Sequence, residues 1–314
     1  MSEIIKKATR DGYGDMLVEL GKKHTDFAVL DADLSASTKT ATFGKVFPER
    51  HINCGIAEEN MMGIAAGFAA SGMKVFASSF AMFAVGRAYE IIRNSIGYTS
   101  LNVKIGASHA GVTVGEDGAS HQCIEDLTLM RVIPGMTVLN PCDYEEAKSC
   151  VKAAYETDGP FYIRFGRLAI PVLEKQTNFE LGKGIELVQG NDVAIIATGY
   201  MVHEALKAAE ILSQDGIKAR IINIHTIKPL DNDIVIKAAK ECGAIVTAEE
   251  HSIIGGLGSA VTEAICELCP TPVLRIGVED VFGISGPALE LINHFKLDAK
   301  SIAEKANTAI SLKK

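Results

Sequence analysis

Apolar runs of strand length alternate along this chain with amphipathic stretches of helix length, a pattern that predicts parallel sheets covered by helices. In the first half the predicted strands are Phe27–Leu30, Lys74–Ala77, Asn102–Gly106, Met136–Leu139 and Phe161–Arg164. The helices predicted between them are Arg10–Lys22, Glu58–Ala70, Met82–Ile96 and Tyr144–Glu156. From Leu168 to Gly190 the periodicity weakens and Pro171, Gly182, Gly184 and Gly190 accumulate, which reads as a linker. A second alternation then predicts strands Asp192–Ala197, Ala219–Ile224, Ala244–Thr247 and Val273–Ile276. Its helices are Met201–Gln214, Asp231–Lys240, Leu257–Cys266 and Ala299–Ile310. Strands that stay apolar along their length, without in–out alternation, imply sheets buried on both faces. The expected fold is therefore α/β, with two doubly wound, mostly parallel domains: residues 1–170, a linker over 171–190, and residues 191–314.

Composition narrows the classes of function. The 314 residues are 47% hydrophobic and 22% charged, a normal globular balance, and the net charge of −8 gives no nucleic-acid footprint. No run approaches the roughly 18 uninterrupted apolar residues of a membrane span, and Met1-Ser-Glu-Ile-Ile-Lys-Lys is no signal peptide. A cytoplasmic location is expected, with neither membrane nor nucleic acid as partner. Seven cysteines, an odd number scattered through predicted strands and helices, argue for reduced thiols. Cys266 and Cys269 have no second pair and fall at the end of a predicted helix, so they read as small apolar residues, and no metal site is expected on this chain.

The densest candidate chemistry runs from His109 to His121, where two histidines bracket the turn Gly115-Glu116-Asp117-Gly118. The run follows a predicted strand, and in an open α/β sheet ligands sit beyond the strands' carboxyl ends. Histidine titrates nearest neutrality, so a pair there suits proton transfer. A second constellation centres on Glu58, which opens a helix rich in small residues: Gly63, Ala65, Ala66, Gly67, Ala69 and Ala70. A first-turn acid also complements the helix dipole, so Glu58 alone is ambiguous. The small residues let another backbone approach closely. A third cluster, Ala77 to Arg87, carries Phe80 and Phe83, which suit an apolar pocket as well as a plain core.

Together, these motifs resemble the thiamine-diphosphate-dependent transketolase family, in order and over most of the chain. The family has a diphosphate-binding, a pyrimidine-binding and a C-terminal domain, and this chain resembles the last two. It lacks the Gly-Asp-Gly…Asn motif that holds Mg²⁺ and the diphosphate; Gln214-Asp215-Gly216 is no substitute. With Arg10 so close to Met1, the missing domain is expected on an N-terminal partner subunit that holds the Mg²⁺, the two chains assembling as α2β2. The resemblance implies roles residue by residue. Glu58 matches the glutamate that hydrogen-bonds the aminopyrimidine ring and so activates the cofactor. Phe80 and Phe83 match aromatics against that ring, and Asp33 an aspartate near the thiazolium. His109 and His121 match substrate-site histidines, and Asp117 the aspartate that binds the donor's hydroxyl beside its carbonyl. Arg10, Ser37 and Arg167 match groups that hold the sugar phosphate, and guanidinium groups suit phosphate.

Two departures leave the subfamily open: Glu59 stands where many relatives carry histidine, and Gly86 where some carry an aromatic residue. The implied function is transfer of a two-carbon ketol unit between sugar phosphates, in the pentose phosphate manner. A subunit like deoxyxylulose-phosphate synthase or the 2-oxoacid dehydrogenase β chain is an alternative within the enzyme class. A non-catalytic sugar-phosphate-binding or scaffold subunit is an alternative outside it. The Gly255-Gly256-Leu257-Gly258 run precedes a helix and suggests anion binding, but reads as structural and interface-forming.

Overall fold

A computed structural model describes residues 5–173 and 179–313. Fourteen strands run in chain order as β1 (Lys6–Lys7), β2 (Phe27–Asp31), β3 (His51–Asn53), β4 (Lys74–Phe80), β5 (Val103–Ser108), β6 (Thr137–Leu139) and β7 (Phe161–Arg164), then β8 (Ile170–Pro171), β9 (Ile185–Val188), β10 (Val193–Ala197), β11 (Ala219–Asn223), β12 (Thr226–Lys228), β13 (Ile245–Ser252) and β14 (Val273–Val278). Among the described residues they make a seven-stranded sheet ordered β12-β6-β7-β5-β4-β2-β3, a five-stranded sheet ordered β14-β13-β10-β11-β9 and an antiparallel pair, β1 with β8. In the first sheet every pair is parallel except β12 with β6. In the second, only β9 on β11 is antiparallel. The α/β class with mostly parallel sheets is as the sequence predicts.

Burial on both sheet faces follows from the continuous apolar strands. Along β2, Phe27 and Val29 enter a cluster with Tyr13, Leu17, Phe43 and Phe76 on one face. Ala28 and Leu30 enter another with Met61, Met62 and Ala65 on the opposite face. That second cluster continues to Ala194, Ile196 and Ile222 of the other sheet, so the two sheets share one apolar layer. Alternate residues Val193 and Ile195 turn instead to a third cluster with Val202, Leu212 and Ile302.

Departures from the sequence reading include the following three. The stretch 171–190, expected as a linker, contains β9, which pairs with Ala219–Asn223 as an edge strand. Its residues 174–178 lie outside the described part. β12, from the second half of the chain, joins the edge of the first sheet beside β6. Finally, the single helix expected over Met82–Ile96 is wound more widely, with π-helical turns at Met82–Arg87 and Ile92–Gly97 around Tyr89–Ile91. Such turns concentrate at functional sites because they change which residues share a face. All seven cysteines are unpaired.

Candidate functional site

The carboxyl ends of β4 and β5 lie side by side in parallel register, Phe80 opposite Ser108. This brings the β4 aromatics against the first histidine: the Phe80 and His109 rings stack with centroids 3.8 Å apart. Phe83 lies 6.0 Å from Phe80 and nearly parallel to it. His121 closes the group from the far end of its loop, edge-on to Phe83 at 5.2 Å and to Phe80 at 6.3 Å. Two histidines and two phenylalanines, separated by about 40 positions in sequence, thus form one cluster.

His109 is buried in the left-handed region, with φ of 58°. Its Nε2 lies 3.2 Å from Arg10 Nη1 and its Nδ1 lies 2.9 Å from Ser108 Oγ. Arginine only donates, so Nε2 is the bare acceptor and Nδ1–H donates to Ser108. Burial, then the neighbouring Arg10 and Arg167, push the imidazolium pKa down to about 3. The ring is therefore neutral at physiological pH. His121 is half-buried, with Nδ1 3.0 Å from Ser120 Oγ.

Glu58 begins the helix Glu58–Ala70 and is almost fully buried. Its Oε2 accepts from Arg87 Nη1 at 2.5 Å. The Arg87 guanidinium also lies over the Phe83 ring, 5.0 Å from its centroid, and so joins the carboxylate to the aromatic cluster. Sequence reasoning gave Arg87 no role. Its position four residues after Phe83 was the available signal, since such pairs are neighbours on a helix.

Arg10, on the helix Thr9–Gly21, donates to His109 and, at 2.9 Å, to the backbone carbonyl of Ser37. Ser37 is thus brought to the site, but through its main chain. Arg167 Nη1 donates to the Val114 carbonyl and, at 3.0 Å, to Glu116. Asp117 lies exposed on the same turn, with no side-chain hydrogen bond among the described residues. Asp33 stands apart: exposed at φ 62°, it exchanges two hydrogen bonds with Asn53, and none joins it to the cluster. The acid beneath it is Asp31, fully buried and accepting from Leu34 N, Thr38 and Thr40. Burial raises its pKa, partly offset by those donors.

The second half of the chain holds the His109–His121 loop in place. Gln122 Nε2 donates to the Val112, Gly115 and Ile284 carbonyls. Buried Glu250 accepts from Thr113 N at 2.6 Å, and Gly118, at φ 74°, leaves no room for a side chain against Ser285. Glu249 answers the question of the Gly-rich run. Its carboxylate accepts from Leu257 N and Gly258 N at 2.7 and 2.8 Å, so the anion at that helix N-terminus is the chain's own.

The arrangement fits a flat, nitrogen-bearing ring: paired aromatic faces and a buried carboxylate able to accept from ring N–H groups. Among the described residues, no group of three His, Cys, Asp or Glu is placed to hold a metal ion.

The fold is one α/β domain followed by another, and comparison gives their family. Residues 5–172 match the transketolase pyrimidine-binding domain, and residues 182–302 match the transketolase C-terminal domain. The chain belongs to the transketolase family. It is 54% identical over 305 residues to a putative transketolase C-terminal section from Methanocaldococcus jannaschii, covering 96% of both chains. It is 44% identical over 299 residues to a 6-deoxy-6-sulfo-D-fructose transketolase subunit from Clostridium sp. (strain MSTE9), covering 95% of this chain and 93% of the other. Its structure resembles that of a split-gene transketolase described as an inactive beta4 tetramer. The TM-score is 0.90 at 49% identity, over 99% of this chain and all of that one.

Proposed function

We propose that this chain is the C-terminal subunit of a split transketolase, transferring a two-carbon ketol unit between sugar phosphates. In this reading an N-terminal partner supplies the Mg²⁺ and the diphosphate-binding groups, and two copies of each chain enclose the active sites. Thiamine diphosphate, when bound, supplies the covalent chemistry that carries the two-carbon unit. The observation that carries the reading is the convergence of Glu58, Phe80, Phe83, His109 and His121 beyond the carboxyl ends of two adjacent parallel strands.

The chain's own residues then act as follows. Phe80 and Phe83 bind the pyrimidine ring by its faces, and Glu58 accepts a hydrogen bond at the ring's edge. A buried carboxylate in that place strengthens the bond because little water competes. His121, half-buried and edge-on to Phe83, is placed to move a proton on a substrate oxygen, with Asp117 orienting the adjacent hydroxyl. His109 is held neutral, so it serves as a hydrogen-bonding partner rather than a charge. Arg10 and Arg167 hold the anionic tail of the sugar. A guanidinium pairs with phosphate, and equally with a sulfonate of the kind named for the Clostridium relative.

Co-expression with a candidate N-terminal subunit tests the reading. The purified pair is expected to transfer ketol units from xylulose 5-phosphate, and this chain alone to have no transfer activity. The same pair carrying Glu58→Gln is expected to lose turnover and to slow deuterium exchange at the cofactor's C2. Unchanged C2 exchange removes Glu58 from the site; robust transfer by this chain alone removes the split arrangement. The beta4 tetramer named for the 49% identical chain is in keeping with self-association when no partner is present.

A further inference from the structure

Glu58 is 1% exposed, yet the group that holds its carboxylate is a side chain 47% open to solvent. Arg87 reaches inward from the wide helical turns Met82–Arg87, lays its guanidinium over Phe83 and donates Nη1–H to Glu58 Oε2. A guanidinium is planar, cationic and edged with N–H donors, and it stacks on aromatic faces. A 4-aminopyrimidine ring would use the same two contacts, donating to the carboxylate from its edge and lying against the phenylalanines.

We propose that Arg87 is an internal placeholder for the cofactor's pyrimidine ring: it pairs with Glu58 while the cofactor is absent, and must be displaced for the ring to reach that carboxylate. The proposal rests on the role of Glu58 given above. Two physical reasons support it. A carboxylate buried with no partner is expensive, so the chain without cofactor needs a cation at this point. Arg87, being half in water already, returns to solvent at little cost once the ring takes its place. A side chain buried for structure alone would have no such exit.

The test uses the chain assembled with its partner subunit and measures the Kd for thiamine diphosphate by calorimetry at fixed Mg²⁺. Arg87→Met is expected to tighten binding at least threefold, and Arg87→Lys to fall between it and the native chain. Glu58→Gln is expected to weaken binding, and adding Arg87→Met to Glu58→Gln to change nothing further, because the competing pair is already gone. A structural role for Arg87 would act alike in both backgrounds. If Arg87→Met leaves the Kd unchanged or raises it while Glu58→Gln still weakens binding, the placeholder is refuted and the role of Glu58 stands. If Glu58→Gln leaves the Kd unchanged, the role of Glu58 fails, and the placeholder with it. Should Arg87→Met not fold, Arg87→Gln is measured in its place, with the same outcomes.

Discussion

His109 offers a test of the site's electrostatics that needs no partner or substrate. The substitution is His109→Asn, because asparagine tolerates the left-handed backbone that residue 109 adopts at φ 58°. At pH 8 the variant loses the ring stacked 3.8 Å from Phe80, an interaction worth about 0.5–1.5 kcal/mol beyond the apolar area. Counting that area, the variant is expected to be less stable by about 2 kcal/mol. Falling pH narrows the gap. The folded pKa of His109, about 3, lies below the ordinary value of 6.5, so only the unfolded chain takes up the proton between those limits. The stability gained from a neutral His109 is complete above pH 6.5 and is lost as pH falls toward 3. The loss is about 1.4 kcal/mol per pH unit. By pH 5 the native chain has given up roughly 2 kcal/mol that the asparagine variant never had, and the two should be equally stable there. His225, whose pKa burial lowers to about 4, drops out of the difference because both chains carry it. Urea unfolding followed by circular dichroism at pH 8, 6.5 and 5 measures the gap. A gap that stays constant across that range would show that His109 titrates alike in folded and unfolded chains, and the argument for a neutral ring would be wrong.

Glu146 gives the opposite slope. It is buried against Cys142 N and Asn223 Nδ2, and burial raises its pKa to about 7, so its contribution is complete below pH 4.5 and lost as pH rises through 7. Glu146→Gln should therefore gain on the native chain by up to roughly 3 kcal/mol between pH 5 and 8 in the same unfolding experiment; a flat difference counts against it. Glu249→Ala strips the carboxylate from the N-terminus of the helix Leu257–Leu268 and should cost about 2 kcal/mol in urea unfolding, whereas a loss below about 0.5 would deny the cap. Gly118→Ala places a methyl 2.3 Å from Ser285 Oγ at φ 74°. It should speed protease cleavage in the His109–His121 loop, and unchanged cleavage would mean that the loop is not held there.

The strands and helices that build both cores were legible because each carries its own apolar pattern. The strands β3, β9 and β12 were not, being three to four residues long and lying at sheet edges. Such short pieces have too little sequence to show a period and are fixed by their neighbours. The Phe80–Phe83–His109–His121 cluster was legible as separate motifs, since strand ends in an α/β sheet gather their loops. What the sequence hid was pairing across elements. Arg87 on Glu58, Glu250 on the Thr113 amide and Glu249 on the helix at Leu257 each join residues eight to 137 positions apart. Spacing rules reach one helical turn and no further, so these partners emerge only with the tertiary fold.

The same limit bears on charge. The chain carries a net −8, which by itself gives no nucleic-acid footprint. Yet Arg10, Arg167 and Lys39 all act on buried His109, and Arg87 opens to solvent beside Phe83. Of these, Arg167 is paired with exposed Glu116 and Lys39 with Asp11, while Arg10 makes its hydrogen bonds to neutral acceptors, with Asp11 nearby. Acidic residues elsewhere on the surface are screened beyond about 10 Å at ordinary salt, whereas charges in a sheltered cleft are screened far less. Net charge therefore says nothing of the ends of β4 and β5, where Arg10, Arg167, Lys39 and Arg87 gather beside the exposed acids Glu116 and Asp117.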